Sequence, residues 1–432
     1  MRAVLVRTLA VIRDLSSRQK PERAWPWSLA VLALIELLAF HSALTGNWWT
    51  SGNDMRFILP ELRTADSGTM FSWLTGPWVG HALFDYYRPV TSLFMLGQYR
   101  LFGENAAAWQ AVSLILHVAN TLMLADTLKR VFGGMSASLV GASVWAFHNR
   151  MGPAIAWTPA QTDLFAGFFF MLSIVCCLRL LETGSRGFGS MAAVAGLLAL
   201  GSKETALVLP AIVTILALRY GTLPRKGKFA VVAVAWGLSL VFVLCRTYAL
   251  GGTGYLPGRS LPEDVVFYLR SISLLMLPSE LGPASGSDPW AILIVGVGLA
   301  GTTWMATRGK ALWYCPAIVA LMLATWIIEP FAWTMNRTLL AFAEGLLWIA
   351  ALVMAVAKRR GQVALTLAWG VVVMLPVLRL VYNAAGNVFY LPMTYWALVW
   401  ACVVAAGLDA IGERWKSSAA SLAVDAPAKA TL

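Results

Sequence analysis

The sequence predicts an all-α polytopic membrane protein, and three observations carry that prediction. Of 432 residues, 59% are hydrophobic and 12% are charged, whereas a soluble domain carries roughly 25% charged residues. Mean hydropathy is +0.70. The apolar residues fall into runs of about twenty, the length that crosses a bilayer core as a helix, and short basic clusters bound them. Counting the runs gives about twelve transmembrane helices, with a long first outer loop that carries short interfacial helices.

The formal net charge of +12 does not imply a nucleic-acid partner. The basic residues sit in short loops between apolar runs, the positive-inside pattern, and membrane lipids are a sufficient partner for them. The five cysteines, Cys176, Cys177, Cys245, Cys315 and Cys402, all fall inside expected spans with no metal-like spacing, so they read as small buried apolar residues.

Taken in order, residues 1–26 form a cytoplasmic amphipathic segment whose apolar run is broken by Arg7 and Arg13. Residues 27–410 form the transmembrane module and 411–432 an Ala- and Ser-rich cytoplasmic tail expected to be disordered. The first span is Trp27–Leu44, held inside at its start by Arg18, Lys20 and Arg23. The first outer loop, 46–89, follows, and then Pro89–Phe102, which is too short to span and reads as an interfacial helix. Later spans are Ala107–Leu128, Ser136–Phe147, Leu164–Leu181, Phe188–Leu200, Ala206–Leu218 and Phe229–Tyr248. After the third outer loop come Trp290–Ala306, Ala311–Ile328, Leu339–Ala357, Val363–Val381 and Val388–Leu408. The second outer loop is 148–163. The third, 250–289, holds Ser260 and Glu263 at capping-box spacing with Pro262 between, which predicts an interfacial helix. Positive-inside counting puts both termini in the cytoplasm and all the long loops outside.

Ionisable residues at span edges are functional candidates by default. On the outer side these are Asp54, Asp66, Asp85, Arg88, His148, Asp163, Lys203, Glu204, Arg337 and Arg379. For each alone, a solvated or snorkelling charge is the bland reading. Together they supply a carboxylate soon after the first span and several cations at the outer ends of later ones. A transferase with a lipid-phosphate donor needs both: a base for an acceptor hydroxyl, and cations for the charge growing on a leaving phosphate.

Tyr86–Leu124, beginning YYRPVTSLF, resembles the stretch after the first outer loop in the GT-C membrane glycosyltransferases, specifically the transmembrane and tetratricopeptide-repeat O-mannosyltransferases and their bacterial relatives. His148–Ser173 is similar to that family's second outer loop, Gly201–Pro210 (GSKETALVLP) to its Ser-Lys-Glu motif, LPEDVVFYLRSISLLMLP to its interfacial helix, and Phe389–Pro392 (FYLP) to its Tyr-Leu-Pro. The resemblance implies a GT-C-like fold. It also implies transfer of a sugar from a polyprenyl-phosphate-linked donor to a lipid, glycan or protein acceptor on the outer face. It maps the catalytic acidic residue onto Asp54. Tyr86, Arg88, Asp163, Lys203, Glu204 and Arg379 are then the expected substrate-binding residues, with Lys203 favoured as the phosphate contact. Asn53 stands where relatives carry a second acidic residue, Pro153 where they carry Glu, and Gln161 where they carry a basic residue. No metal-ligand set is evident, and a divalent metal cofactor stays open. The lack of repeats points to a bacterial inner membrane with a periplasmic site. Two other readings stay open: a lipid-linked sugar flippase, whose charges would line the middle of the spans, and a non-catalytic envelope-assembly subunit.

Overall fold

The computed structural model describes residues 21–47, 55–81, 84–148, 151–252, 356, 359–376 and 390–424. The expected spans Trp290–Ala306 and Ala311–Ile328, nearly all of Leu339–Ala357, and the interfacial helix of the third loop lie outside the described residues.

Among the described residues the regular elements are helices, with no strand. Helix α1 spans Pro21–Ala39. The segment expected to form the first outer loop folds into α2 (Met55–Thr64), α3 (Ser67–Trp73) and a 3-10 turn at Trp78–Gly80. Helix α4 is Pro89–Phe102, and α5 is Ala106–Phe132. Next come α6 (Met135–Ala146), the short α7 (Met151–Ala156), α8 (Gln161–Thr183), α9 (Arg186–Ser202), α10 (Leu209–Arg219) and α11 (Arg225–Ala249). Residues 359–374 form α12, and Thr394–Val424 form α13. Three of the stretches are long and apolar enough to cross a membrane: Ala106–Phe132, Thr158–Thr183 and Arg225–Ala249. This is a multi-pass membrane protein.

Local chemistry sets the helix ends. Asp66 caps α3 by accepting from the Thr69 amide at 2.7 Å and its hydroxyl at 2.8 Å, and these donors hold its carboxyl below the usual value. Asn105 caps α5 through the Ala108 amide. Helices α5 and α8 stop at Gly133 and Gly184, whose φ of 75° and 71° suit the left-handed turn that closes a helix.

The main core packs α9 along α8, α8 and α6 against α5, and α13 against α6. Helix α6 has 12 residues, about 18 Å and shorter than a bilayer core of roughly 30 Å. Every residue from Ser136 to Ala146 is buried, so this helix lies enclosed by its neighbours. Its Gly141 lets α13 approach: a Cβ there would lie 2.5 Å from the Ala397 carbonyl oxygen. The tail departs from expectation, since α13 continues to Val424. Residues 411–424 are rich in Ala, Glu, Lys, Arg and Leu, which are good helix formers, and extending an existing helix avoids the cost of nucleation.

The segment that precedes α4 has a core of its own. Met55, Ile58 and Leu62 of α2 pack with Trp73, Trp78, Met95 and Trp109. Arg63 pairs with Glu104, and Arg100 donates to the Ala65 carbonyl at 2.6 Å, fastening this small core onto α4.

Candidate active site

Two ion pairs meet where α4, α8 and the α9–α10 junction converge. Helix α9 ends at Ser202, and Lys203 is extended, with φ −159° and ψ 144°. Successive side chains of an extended backbone point to opposite sides. Lys203 and Glu204 therefore part because the helix breaks at Lys203.

Lys203 turns inward. Its Nζ lies 2.5 Å from Asp163 Oδ2 in the first turn of α8, and the two side chains are 8% and 2% exposed. Burial pulls the ammonium below its usual value, Asp163 opposes that, and the nearby Arg88 charge adds to it.

Glu204 turns the other way. Its Oε2 accepts from Arg88 Nε at 3.2 Å, and its Oε1 accepts from the Tyr87 amide at 3.2 Å. Burial pushes this carboxyl up, but the Arg88 guanidinium beside it leads the opposing effects and holds it below the usual range. The ion-pair partner of Arg88, expected as a substrate-binding residue, is Glu204. Its guanidinium also lies 4.2 Å from the Tyr86 ring centroid and 5.2 Å from that of Trp78. Nε carries its ion pair, and the Nη groups have no hydrogen-bond acceptor among the described residues. A guanidinium held by one edge and two aromatic faces, with its fork free, is arranged for a planar or tetrahedral oxyanion.

Close packing fixes these positions. Pro89 opens α4, and Thr91 donates its hydroxyl to the Ser202 carbonyl at 3.0 Å. A Cβ on Gly201 would lie 2.6 Å from Val90 Cγ2, so only glycine lets α4 approach α9 this closely. Trp78 is placed by a strained turn. Its amide donates to the Tyr86 carbonyl at 2.7 Å, and Val79 takes φ 48° while donating to Ser92 Oγ at 3.1 Å. For a β-branched residue that conformation costs on the order of 1–3 kcal/mol. The sequence reading passed over Trp78, because a turn of this kind leaves no periodic signal.

Gln161, at the position where relatives carry a basic residue, belongs to a neutral amide pair. It donates to Gln98 Oε1 at 3.1 Å and accepts from Gln98 Nε2 at 2.8 Å, fully buried. Asp54 and Arg379 lie outside the described residues. Tyr86, Arg88, Asp163, Lys203 and Glu204 are brought together. Among the described residues, no three His, Cys, Asp or Glu side chains converge as a metal set.

A second polar cluster lies within the bundle. Glu36 Oε1 accepts from Thr121 Oγ1 at 2.7 Å and lies 3.1 Å from His117 Nε2. His117 Nδ1 is 2.9 Å from the Tyr390 hydroxyl, which also accepts from Asn120 Nδ2 at 2.9 Å. The network ties α1, α5 and the turn before α13 together. Tyr390, from the FYLP motif, is its hub.

Known proteins share part of this sequence. Protein O-mannosyl-transferase tmtc2 of Xenopus laevis is 27% identical over 102 residues, 24% of this chain and 12% of that protein. Protein O-mannosyl-transferase TMTC4 of Mus musculus is 24% identical over 179 residues, 37% of this chain and 24% of that protein. The chain is similar to protein O-mannosyltransferases. The similarity bears out the resemblance read from the motifs, and it spans about a quarter or less of each relative. No family model matches the chain. Among solved structures, the archaeal oligosaccharyltransferase AglB from Archaeoglobus fulgidus, in complex with an inhibitory peptide and a dolichol-phosphate, aligns with a TM-score of 0.47 and 13% identity. The alignment covers 94% of this chain and 53% of that one.

Proposed function

We propose that this protein is an integral-membrane glycosyltransferase that takes a sugar from a polyprenyl-phosphate donor and transfers it to an acceptor hydroxyl at the outer face. The observation that carries the reading is Arg88. It is half-enclosed by aromatic rings and anchored through Nε, and its Nη donors are turned to no acceptor among the described residues. In this reading Arg88 holds the donor phosphate, and Glu204 fixes the guanidinium. Asp54, which immediately precedes α2 in sequence, takes the acceptor proton. The acceptor oxygen bonds to the anomeric carbon as the bond from that carbon to the phosphate oxygen breaks. The leaving polyprenyl phosphate keeps the electron pair, and one displacement inverts the centre. Lys203, neutralised by Asp163, braces the junction, so the phosphate role expected for it passes to Arg88. Similarity to O-mannosyltransferases supports mannose as the first sugar to test and a protein hydroxyl as the first acceptor.

The Glu36–His117–Tyr390 network is the observation that favours a flippase, because it puts ionisable groups within the bundle. Its members are wholly buried and bonded to one another, which favours a tether between helices over a translocation path.

The experiment is sugar transfer from a defined polyprenyl-phosphate donor by the purified full chain. Asp54→Asn, the charge-free isostere, is expected to lower the rate by about 100- to 10,000-fold, the usual worth of a general base. Full activity of that variant would remove Asp54 from the mechanism. Translocation of the donor with no glycosylated product would replace the transferase reading with the flippase.

A further inference from the structure

Along nearly the whole of α9, the bundle leaves a half-open slot of about 390 Å³ between α8, α9, α10 and α11. Its walls are small and apolar, with Ala193, Gly196, Val213, Val234 and Leu238 among them. Of the serines in the wall, Ser173 donates its hydroxyl to the Ala192 carbonyl at 2.8 Å, while the buried Ser239 hydroxyl has no partner among the described residues. Along α9 the lining runs from Arg186 to Leu200, about 21 Å at 1.5 Å per residue. That exceeds the depth of one leaflet, half of a hydrocarbon core of about 30 Å.

One end of the slot is strongly basic. Arg186 lines it, and α9 and α11 both begin there. The turns that lead into the two helices are clasped, with the Thr222 amide donating to the Leu181 carbonyl at 2.9 Å and its hydroxyl to that of Glu182 at 3.2 Å. Arg225, Lys226 and Lys228 therefore rim the same end as Arg186. None of the four has an acidic partner among the described residues. Two helix N-termini add positive potential at the same place.

We propose that this slot is a site for an anionic phospholipid, with one acyl chain along α9 and the headgroup phosphate held by Arg186 and the cations that open α11. An apolar slot alone would take any chain. Four uncompensated cations at a single end select one with a negative headgroup. The headgroup end is about 24 Å from Lys203 along the 17 residues of α9, so the phosphate it would hold lies apart from the Arg88 and Lys203 ion pairs, and the proposal does not rest on the transferase reading.

The test is native mass spectrometry of the purified full chain with phosphatidylglycerol or phosphatidylcholine added. Retained phosphatidylglycerol is expected to exceed phosphatidylcholine by at least about fivefold, the effect of about one effective cation near a lipid phosphate. Ala193→Phe, which fills the slot, is expected to lower retention of both lipids. Arg186→Gln with Lys226→Gln changes two exposed side chains and leaves the packing intact, and it is expected to remove the preference while keeping the chain bound. Equal retention of the two lipids by the wild type would overturn the headgroup assignment. Retention unchanged by Ala193→Phe would overturn the slot as the place of binding. A co-purifying polyprenyl phosphate in place of phospholipid would overturn the choice of occupant.

Discussion

Lys203 and Glu204 are consecutive residues that belong to two different electrostatic settings. The Lys203–Asp163 pair is closed, with both side chains under 10% exposed and the ammonium directed at a carboxylate. The Arg88–Glu204 pair is open: Glu204 is 21% exposed, and only one edge of the guanidinium is used. A closed pair deep in a low-dielectric bundle fixes geometry, since removing the carboxylate leaves the ammonium buried without it. An open pair leaves capacity for a ligand. The difference teaches that the charged residues at this end of the bundle do not form one interchangeable patch of cations.

The largest effect should fall on the closed pair. Asp163→Asn leaves Lys203 buried without its counter-charge and is expected to cost about 3–5 kcal/mol, read as a lower melting temperature in detergent. Adding Lys203→Met should recover part of that loss. If the double variant melts no higher than the single one, the pair is not a closed unit.

Arg88→Gln should do the opposite, melting close to wild type while slowing transfer by about 100- to 1000-fold, the worth of one preorganised oxyanion donor. Loss of stability without a specific loss of transfer would make the two pairs equivalent. Gly201→Val tests the frame that holds both. The added atoms meet Val90 and should cost about 1–3 kcal/mol by overpacking, with transfer impaired as α4 is pushed from α9.

The smallest effect is pH dependence. Glu204 is held below its usual 4.5, so its contribution to stability is fully present above pH 4.5 and is lost as pH falls through the lowered value. A melting series in wild type and Glu204→Gln should therefore run parallel from pH 8 to about 5 and converge below 4.5. Convergence beginning near neutrality would contradict the stated environment of this carboxyl.

Much of the architecture was legible because apolar runs report helices directly. Helix α5 was expected at Ala107–Leu128 and spans Ala106–Phe132, its ends set by Asn105 and Gly133. The enclosed character of α6 was not legible, since a short helix of apolar and small residues looks alike facing lipid or facing protein. At the site, the sequence marked Arg88, Asp163, Lys203 and Glu204 but not who pairs with whom. The pairing depends on one extended residue at a helix break, and on a Trp78 carried by a strained turn. Neither leaves a pattern along the chain. Gln161 was read as a departure from the family, and its role as half of a buried amide pair with Gln98 emerges only from packing.

The partners of Arg88 also differ in when they are made. Trp78 and Tyr86 lie within ten residues of it, whereas Glu204 follows 116 residues later. At ribosomal speeds of roughly 5–20 residues per second, that interval lasts on the order of ten seconds. During it α4 and the segment that precedes it can settle, with the guanidinium resting on its two rings. The open pair closes only once α5 through α9 have been made and the α9–α10 junction has turned back towards α4. Synthesis order thus makes the aromatic faces the first partners Arg88 meets and the carboxylate the last.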